Sequence, residues 1–229
     1  MGRIEYKHND RFLLAVDCII FGFDGSGLKA LLVKRALEPE AGKWSLMGGF
    51  AQQNESIDDA AARILLNLTG LDKIYMEQLY CFGDLDRDPG GRVVSIAYFA
   101  LIKIDASDND KLEEHQAKWI DLKKLPPLVF DHKRMIKLAK ERLQQKVSNH
   151  PVGFELLPHK FTLQQLQALY EAIFERSFDK RNFTRKILSL GILQRLDEKE
   201  KASSKKGAFF YVFDKKKYKQ LESEGIQMI

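Results

Sequence analysis

The segment between residues 49 and 71 contains three carboxylates and an arginine close together, Glu55, Asp58, Asp59 and Arg63. Carboxylates on one face of a helix can hold Mg²⁺ ions, which polarise a diphosphate and activate water. A metal site would need the carboxylates to share a helical face with position 67, further along the same helix. Asp59 lies roughly 80° around the helix and two full turns away from that position, so helical phase argues against Asp58 and Asp59 as a metal site. Glu55 and Arg63 are instead expected to pair and to fix the junction between a loop and the helix.

A second group of side chains has the types that a small-molecule site uses. A pocket for a sugar or a nucleotide needs a planar aromatic ring and a few charged groups that form hydrogen bonds. The candidates for effector binding are Lys43, Trp44, Phe50, Glu55, Arg63, Asp84, Asp86, Arg87 and Arg92. The structural alternative is that the segment from Asp84 to Gly91 is a solvated loop and that Trp44 belongs to the core.

A third group is basic and lies in the last fifty residues. The helix after Asp179 places Phe183, Ile187, Leu188 and Leu190 toward a core, and arginine and asparagine on its other side. Arg and Asn are the types that bond guanine and adenine in the major groove, and lysines suit phosphates. The predicted DNA-binding residues are Lys180, Arg181, Asn182, Thr184, Arg185 and Lys186 on the helix, with Lys199, Lys201, Lys205 and Lys206 on a following wing. A solvated helix and a protein-interaction module are the alternatives.

The elements that must position the first two groups lie in the first 150 residues. Apolar runs predict strands at 12–23, 28–33, 75–82, 93–104 and 118–120, with a turn at Asp24–Gly27. Amphipathic patterns predict helices at 55–68 and 130–147. Strands and helices in this order indicate an α+β fold in which helices cover a mixed sheet as an α/β/α sandwich.

The basic group depends on a second set of elements, which follows a linker at 148–153. Thr162 is expected to cap a helix from Leu163 to Arg176, and Asp179 a second helix to Leu190, with Gly191 at its end. Strands are expected at 192–196 and 208–213, on either side of a charged loop. This order is typical of a winged helix-turn-helix, and the predicted domains are therefore 1–150 and 151–229.

The distribution of charge supports two domains with different partners. Residues 1–150 carry 22 Lys and Arg against 22 Asp and Glu, whereas residues 151–229 carry 15 against 10. The whole excess of +5 therefore lies in the second part, which favours an anionic partner there.

Composition excludes several classes of protein. The chain lacks an uninterrupted apolar run of about 18 residues, as a membrane span needs, and its polar start is unlike a secretory signal. Cys18 and Cys81 both lie in apolar runs, as expected for buried thiols in a reducing cytoplasm. The five histidines are scattered and no Cys/His spacing is typical of zinc, so we expect no metal and no cofactor.

The segment from Gly49 to Leu71 resembles the Nudix box. Gly49, Glu55, Arg63, Leu65, Gly70 and Leu71 stand at the spacing of that family's pattern. The resemblance spans about 150 residues, and it implies a cleft between a sheet and the box helix. In Nudix enzymes three glutamates of the box hold Mg²⁺, and the matching positions here are Ile64, Asn67 and Leu68. The chain is therefore predicted not to be an enzyme, while the cleft remains able to bind.

Both halves together resemble the Nudix-related transcriptional regulators of bacteria, in which a Nudix-like domain senses a metabolite and a C-terminal winged helix binds operators. The stretches Leu169–Ile173, Asp179–Phe183 and Leu190–Leu193 match that family's C-terminal signature. One branch (NrtR) senses ADP-ribose and another (AraR, in Bacteroidetes) senses L-arabinose. The chain resembles the arabinose branch more closely. The family also implies a homodimer, because a palindromic operator presents two half-sites.

The leading hypothesis from the sequence is a cytoplasmic repressor of sugar utilisation with L-arabinose as its effector and double-stranded operator DNA as its partner. One alternative keeps the DNA-binding module and replaces the effector with ADP-ribose, in a regulator of NAD metabolism. The other is a Nudix hydrolase that acts on a nucleoside diphosphate derivative.

Overall fold

The computed structural model describes residues 9–149, 154, 156–201 and 207–222. Within these residues the first domain is built on a seven-stranded mixed sheet, in the order β3-β2-β1-β6-β5, with β4 paired to β1 and β7 to β2. The strands are β1 (Leu13–Phe23), β2 (Leu28–Lys34), β3 (Trp44–Ser45), β4 (Met47–Phe50), β5 (Glu77–Phe82), β6 (Val93–Lys103) and β7 (Ala117–Asp121).

β1 is the centre of this sheet because its apolar run can be buried on both faces. It runs parallel to β6 from the Leu13–Val93 pair to the Phe23–Lys103 pair, and it turns back into β2. The Asp24 carboxylate closes the turn by accepting hydrogen bonds from the backbone N–H of Ser26 and Gly27, each at 3.0 Å. The predicted strand, turn and strand are thus found with their ends shifted by one residue.

Helices cover both faces of the sheet, as predicted. α1 (Ile57–Thr69) packs on the face that holds Val16, Cys18 and Ile20, and α3 (His132–Asn149) packs on the face that holds Ile19 and Phe21. This division follows from the strand, since successive side chains of β1 point to opposite faces. A short helix, α2 (Asn109–Glu114), was not predicted.

The second domain begins at β8 (Phe161–Thr162) and continues through α4 (Leu163–Phe174) and α5 (Lys180–Ser189). β9 (Leu193–Glu200) and β10 (Ala208–Phe213) pair as a ribbon, β8 joins the outer edge of β10, and α6 (Lys215–Glu222) follows. This is the winged-helix arrangement that the sequence predicts. β9 is longer than predicted and takes up the start of the predicted loop, because 197–200 pair with β10 as far as the Glu200–Ala208 pair.

α4 has the predicted start and an earlier end. Thr162 and Gln165 form a reciprocal capping box at its first turn. Glu175 then takes a left-handed conformation with φ of 51°, which stops the helix before the predicted end at Arg176.

One hydrophobic core runs from the α3 face of the sheet into the winged helix. The same cluster contains Phe21 of β1, Met135 of α3, Tyr170 of α4 and Ile187 of α5. The predicted boundary at residue 150 therefore separates two units of sequence whose apolar side chains pack together. None of the helices in the described ranges is both long enough and apolar enough to cross a membrane.

Candidate effector site and nucleic-acid interface

Glu55 and Arg63 form the pair that the sequence predicts, at the junction of β4 and α1. Arg63 Nε donates to Glu55 Oε2 at 2.8 Å, and Arg63 Nη2 donates to the Phe50 carbonyl at 3.0 Å. The second carboxylate oxygen of Glu55 accepts from the Gln52 backbone N–H at 2.7 Å. The hydrogen bond from Arg63, followed by that from Gln52, lowers the pKa of Glu55 to about 2. The pair therefore closes the loop between the strand and the box helix.

The three positions where the family carries glutamates do not offer a set of metal ligands. Ile64 is buried and packs on Gly49, where an added Cβ would lie 3.1 Å from Ile64 Cγ1. Leu68 packs against the core under α1, and Asn67 is exposed. Mg²⁺ requires oxygen ligands, which Ile and Leu lack. Over the described ranges no group of three or more His, Cys, Asp or Glu side chains is arranged to hold a metal.

The two aspartates at the start of α1 have structural partners. Asp59 accepts from the Ser56 hydroxyl at 2.7 Å, and Ser56 caps the helix in return by accepting from the Asp59 backbone N–H at 3.1 Å. Asp58 accepts a hydrogen bond from the Tyr98 hydroxyl. Asp59 thus caps α1, and Asp58 ties the helix to β6 of the sheet.

Arg87 lies inside the protein, although the sequence placed it among the pocket candidates. Its side chain is only 3% exposed and makes two hydrogen bonds to Asp131, from Nε at 3.0 Å and from Nη2 at 2.9 Å. Nη2 also lies 3.4 Å from Asp17 Oδ2. Burial opposes the charge of Arg87, but Asp131 and Asp17 raise its pKa above the ordinary value. Arg87 therefore anchors its loop from within, and the structural alternative of a solvated loop does not hold at this residue.

Three further polar groups complete this buried network. Ser95 donates to Asp17 Oδ2 at 2.6 Å, and His132 Nε2 lies 3.5 Å from Asp17 Oδ1. His132 Nδ1 accepts from the Leu46 backbone N–H at 3.1 Å, and burial lowers the pKa of this histidine despite the nearby aspartates. Sequence reasoning missed Asp17 as the centre of this network. Its signal was a lone acid in the apolar run of β1, which requires a buried partner.

Asp84, Asp86 and Arg92 lie at the surface of the same loop. Arg92 Nη1 donates to the backbone carbonyls of Gly83 at 2.8 Å and Asp84 at 3.2 Å, and its guanidinium lies over the Phe12 ring. Asp84 pairs with Arg134 of α3, and Asp86 is exposed. These contacts hold the loop against the first residues of β1.

Lys43 and Trp44 lie apart from Phe50. Lys43 is exposed and pairs with Glu40, and the Trp44 ring packs against the core with Lys34 Nζ 4.2 Å from its centre. Phe50 is 46% exposed, and its backbone faces Ala15 of β1. The predicted set therefore falls into two places. Phe50, Glu55, Arg63 and Arg92 flank the start of β1, whereas Lys43 and Trp44 lie at the edge formed by β3.

α5 presents its polar residues as the helical phase predicts. Phe183 and Ile187 are buried, and the face with Lys180, Arg181, Asn182, Arg185 and Lys186 is exposed, with Thr184 half-buried. Asp179 caps the helix by accepting from the Asn182 backbone N–H at 2.8 Å. Arg185 Nη2 donates to Asn182 Oδ1 at 2.8 Å, which orders the two side chains before any ligand is bound. Leu188 was predicted to point to the core, but it is 41% exposed.

The ribbon of β9 and β10 carries further cations. Lys199 Nζ and the Arg195 guanidinium lie 4.5 Å and 4.6 Å from the centre of the Phe209 ring, so the alternating aromatics of β10 support basic side chains. Lys201 is exposed at the end of the described part of the wing. Lys205 and Lys206, which were also predicted to contact DNA, lie outside the described residues.

Two family models match this arrangement of domains. The NUDIX domain model matches residues 11–139, and the NrtR DNA-binding winged helix domain model matches residues 153–213. The ADPR responsive transcriptional repressor NtrR of Acinetobacter baylyi is 34% identical over 205 residues, which are 88% of this chain and 82% of the repressor. The chain belongs to the NrtR family. The predicted Nudix-like domain followed by a C-terminal winged helix is thereby confirmed.

Solved structures of the family have the same fold. Shewanella oneidensis NrtR complexed with a 27mer DNA is similar at a TM-score of 0.73 and 29% identity, over 90% of this chain and 95% of that chain. The NUDIX domain of the same Shewanella protein, complexed with ADP ribose, is similar at a TM-score of 0.54 and 34% identity, over 61% of this chain and 94% of that chain. Neither the Acinetobacter repressor nor the Shewanella protein is described as arabinose-responsive, so the predicted AraR branch is not confirmed.

The prediction that the chain is not an enzyme, drawn from the box alone, is wrong. It rested on three replaced glutamates, whereas the domain as a whole resembles an enzyme. The ADP-ribose pyrophosphatase of Methanocaldococcus jannaschii is 36% identical over 112 residues, which are 48% of this chain and 64% of that protein.

Proposed function

We propose that this chain is a transcriptional repressor of the NrtR type, which binds operator DNA through its winged helix and responds to ADP-ribose bound by its NUDIX domain. The observation that carries the proposal is an exposed cationic α5 on a winged helix whose core is continuous with a NUDIX domain. The ADP-ribose alternative fits the relatives better than L-arabinose does, because the similar repressor and the similar NUDIX domain are both described with ADP-ribose.

The DNA-binding half of the proposal is supported by the types of residue on α5. Arg181 and Asn182 stand in the first turn, where a recognition helix meets base edges in the major groove. Lys199 and Lys201 of the wing supply charge that neutralises phosphates without reading sequence. A palindromic operator calls for two such helices, so a homodimer is part of the proposal, as is action in the cytoplasm, where bacterial DNA lies.

The effector half is supported by the polar and aromatic groups around the start of β1. Phe50 offers an exposed ring, and Arg63 and Arg92 offer cations on either side of that strand. An aromatic ring suits an adenine base, and guanidinium groups suit a diphosphate. We therefore place ADP-ribose at this end of the sheet.

Coupling between the halves requires ADP-ribose to bind one arrangement of the domains better than another. The shared core and two polar contacts provide a route for this. Gln144 Nε2 of α3 donates to the Ile173 carbonyl at 2.8 Å, and Lys140 pairs with Glu175 at 2.5 Å. A change in the angle of α3 would thus displace α4 directly, and α5 through its packing on α4.

The test combines calorimetry with a gel shift on the DNA upstream of the chain's own operon. ADP-ribose should bind and lower the affinity for that DNA by about 5- to 150-fold, the usual range of allosteric coupling. L-Arabinose should do neither. Unchanged DNA affinity at saturating ADP-ribose would remove the effector claim, and a fall with L-arabinose alone would restore the sugar alternative.

A matched pair of variants locates the effector. Phe50→Ala should weaken ADP-ribose binding by about tenfold or more, since stacking on an aromatic ring contributes about 1–3 kcal/mol per base. Tyr75→Ala is the control, because Tyr75 is an exposed aromatic residue away from the start of β1. It precedes β5, and Glu77 of β5 pairs with Phe99, six residues along β6 from the Val93 that faces Leu13. Equal binding by both variants would place the ligand elsewhere. A turnover assay with Mg²⁺ on the same protein measures whether bound ADP-ribose is cleaved to a nucleoside monophosphate.

A further inference from the structure

The neutral charge of the first domain conceals a strongly basic segment. Residues 1–121 carry 14 Lys and Arg against 20 Asp and Glu, a balance of −6. Residues 122–142 carry 7 against 2, a balance of +5. This second stretch includes the first half of α3, and we call it the α3 basic segment. The sequence of the first domain thus divides into a longer acidic part and a short basic one.

Several cations of the α3 basic segment are exposed, although Arg134 pairs with Asp84 and Lys140 pairs with Glu175. Met135 and Ile136 are buried against the sheet, whereas Lys133 and Lys137 are exposed one turn apart. The Lys137 side chain is 79% exposed and has a contact at 4.0 Å with Glu141, and Lys133 forms no ion pair with the described residues. Lys123 and Lys124, which end a short 3-10 helix, are also exposed.

These cations share one groove with the winged helix. The groove has a volume of about 570 Å³ and is lined by Lys133, Lys137 and Lys140 on one side, by Leu125 and Phe130, and by Glu175 from the end of α4. A second cavity of about 330 Å³ is lined by both Lys123 and Arg176. Arg176, in the loop that precedes α5, thus lies across the domain boundary from Lys123, and the acids Asp121, Glu171 and Glu175 line the same cavity.

The direction of the helices places this segment beside the N-terminus of α5. Gln144 contacts Ile173, and Lys140, which is nearer the start of α3, contacts Glu175, just after the end of α4. The start of α3 therefore lies toward the end of α4. The Asp179 cap of α5 follows four positions after Glu175, a reach of at most about 14 Å. Lys140 and Lys133 are themselves about 10 Å apart along their helix. A duplex seated on α5 thus lies within reach of these lysines.

We propose that the α3 basic segment binds the phosphate backbone of DNA that flanks the base pairs contacted by α5. This inference rests on the proposed function and adds a second DNA-binding surface, located on the effector domain. Duplex DNA carries one charge per about 1.7 Å along its axis, so spaced ammonium groups match it without base-specific contacts. The cations are spread along α3 rather than converged on one point, which favours an extended polyanion over a small anion held in the groove.

The test measures affinity and its salt dependence for Lys133→Ala/Lys137→Ala on two duplexes. One duplex contains the operator with flanking sequence, and the other is trimmed to the core that α5 contacts. On the flanked duplex the slope of log affinity against log salt should fall by about 1.8, because each lost phosphate contact removes about 0.9. Affinity should fall by about tenfold on that duplex and remain near wild type on the trimmed one.

Lys111→Ala is the matched control for the single variant Lys137→Ala. Both residues are exposed helical lysines with an acidic neighbour, which for Lys111 is Asp108 at 3.7 Å. Lys111, however, lies on α2 and outside the α3 basic segment. Lys111→Ala should leave the flanked duplex bound as in wild type, and Lys137→Ala should lower the slope by about 0.9. ADP-ribose binding should be unchanged in every variant.

The outcomes separate this inference from the function on which it rests. A double variant with wild-type affinity and slope on the flanked duplex overturns the inference alone, and so does an equal loss on both duplexes. If the double variant lost ADP-ribose binding and kept DNA binding, the groove would be assigned to a small anion, and the inference would be overturned as well. A wild-type chain that binds no duplex would overturn the proposed function and this inference together.

Discussion

The polar network beside β1 and the outer face of α5 treat their charged residues in opposite ways. In the NUDIX domain Arg87 is buried and paired with Asp17 and Asp131, and Arg63 is tied to Glu55. In the winged helix, Lys180 and Arg181 of α5 stand exposed on the helix face away from the core. A buried pair such as Arg87 with Asp17 holds the interior in shape, because a charge in a low-dielectric interior cannot be left without a partner. Exposed cations remain available for a polyanion, whose binding releases counterions.

The largest expected effect comes from breaking the buried pairs. Arg87→Met leaves the buried Asp17 and the half-buried Asp131 without their counterion, and the free energy of unfolding should fall by about 3–5 kcal/mol. Arg134→Ala removes the exposed pair with Asp84 and should cost at most about 1 kcal/mol. Urea unfolding of both variants measures the difference. Similar small losses in the two variants would show that burial does not distinguish these pairs.

A second experiment tests whether the exposed cations of the winged helix act in recognition rather than in folding. Arg181→Ala should leave the free energy of unfolding near wild type and lower specific DNA affinity by about 1–3 kcal/mol, the usual contribution of a base contact. Lys199→Ala should instead weaken binding to all sequences and lower the salt slope by about 0.9. Gel shifts with operator and unrelated DNA separate the two. An equal loss on both kinds of DNA for Arg181→Ala would mean that α5 is not the recognition helix.

The smallest expected effect compares one tyrosine from each domain. The Tyr98 hydroxyl donates to Asp58, whereas the buried Tyr170 hydroxyl has no hydrogen-bond partner among the described residues. Tyr98→Phe should therefore lower the free energy of unfolding by about 1 kcal/mol, and Tyr170→Phe should leave it unchanged or raise it by up to about 1 kcal/mol. Thermal and urea unfolding provide the measurement. A clear loss of stability in Tyr170→Phe would reveal a partner for that hydroxyl.

The secondary structure could be predicted where the pattern of apolar residues or a capping side chain matches the geometry of a strand or helix. β1 and β6 are long apolar runs, and α4 and α5 begin at Thr162 and Asp179, whose side chains satisfy free N–H groups of the first turn. The end of α4 at Glu175 and the extension of β9 to Glu200 depend on backbone conformation and strand pairing, and neither leaves a periodic pattern in the sequence.

The candidate site was predictable in part. The pairing of Glu55 with Arg63 followed from their places in the box, because eight residues separate two positions that meet at the start of one helix. The inward orientation of Arg87 did not follow, since a loop rich in aspartate and glycine looks solvated in sequence. Its partners Asp17 and Asp131 are 70 and 44 residues away, and only the packing of β1 against α3 brings them to Arg87.

The sequence by itself determined the two-domain order, the replaced glutamates of the box and the basic face of α5, because each of these is a property of neighbouring residues. Only the tertiary structure decided that one core joins the domains, that Arg87 is buried, and that the α3 basic segment lies beside the winged helix. These features depend on contacts between distant parts of the chain. Such contacts are selected by packing and by the cost of burying an unpaired charge, and no local pattern encodes them.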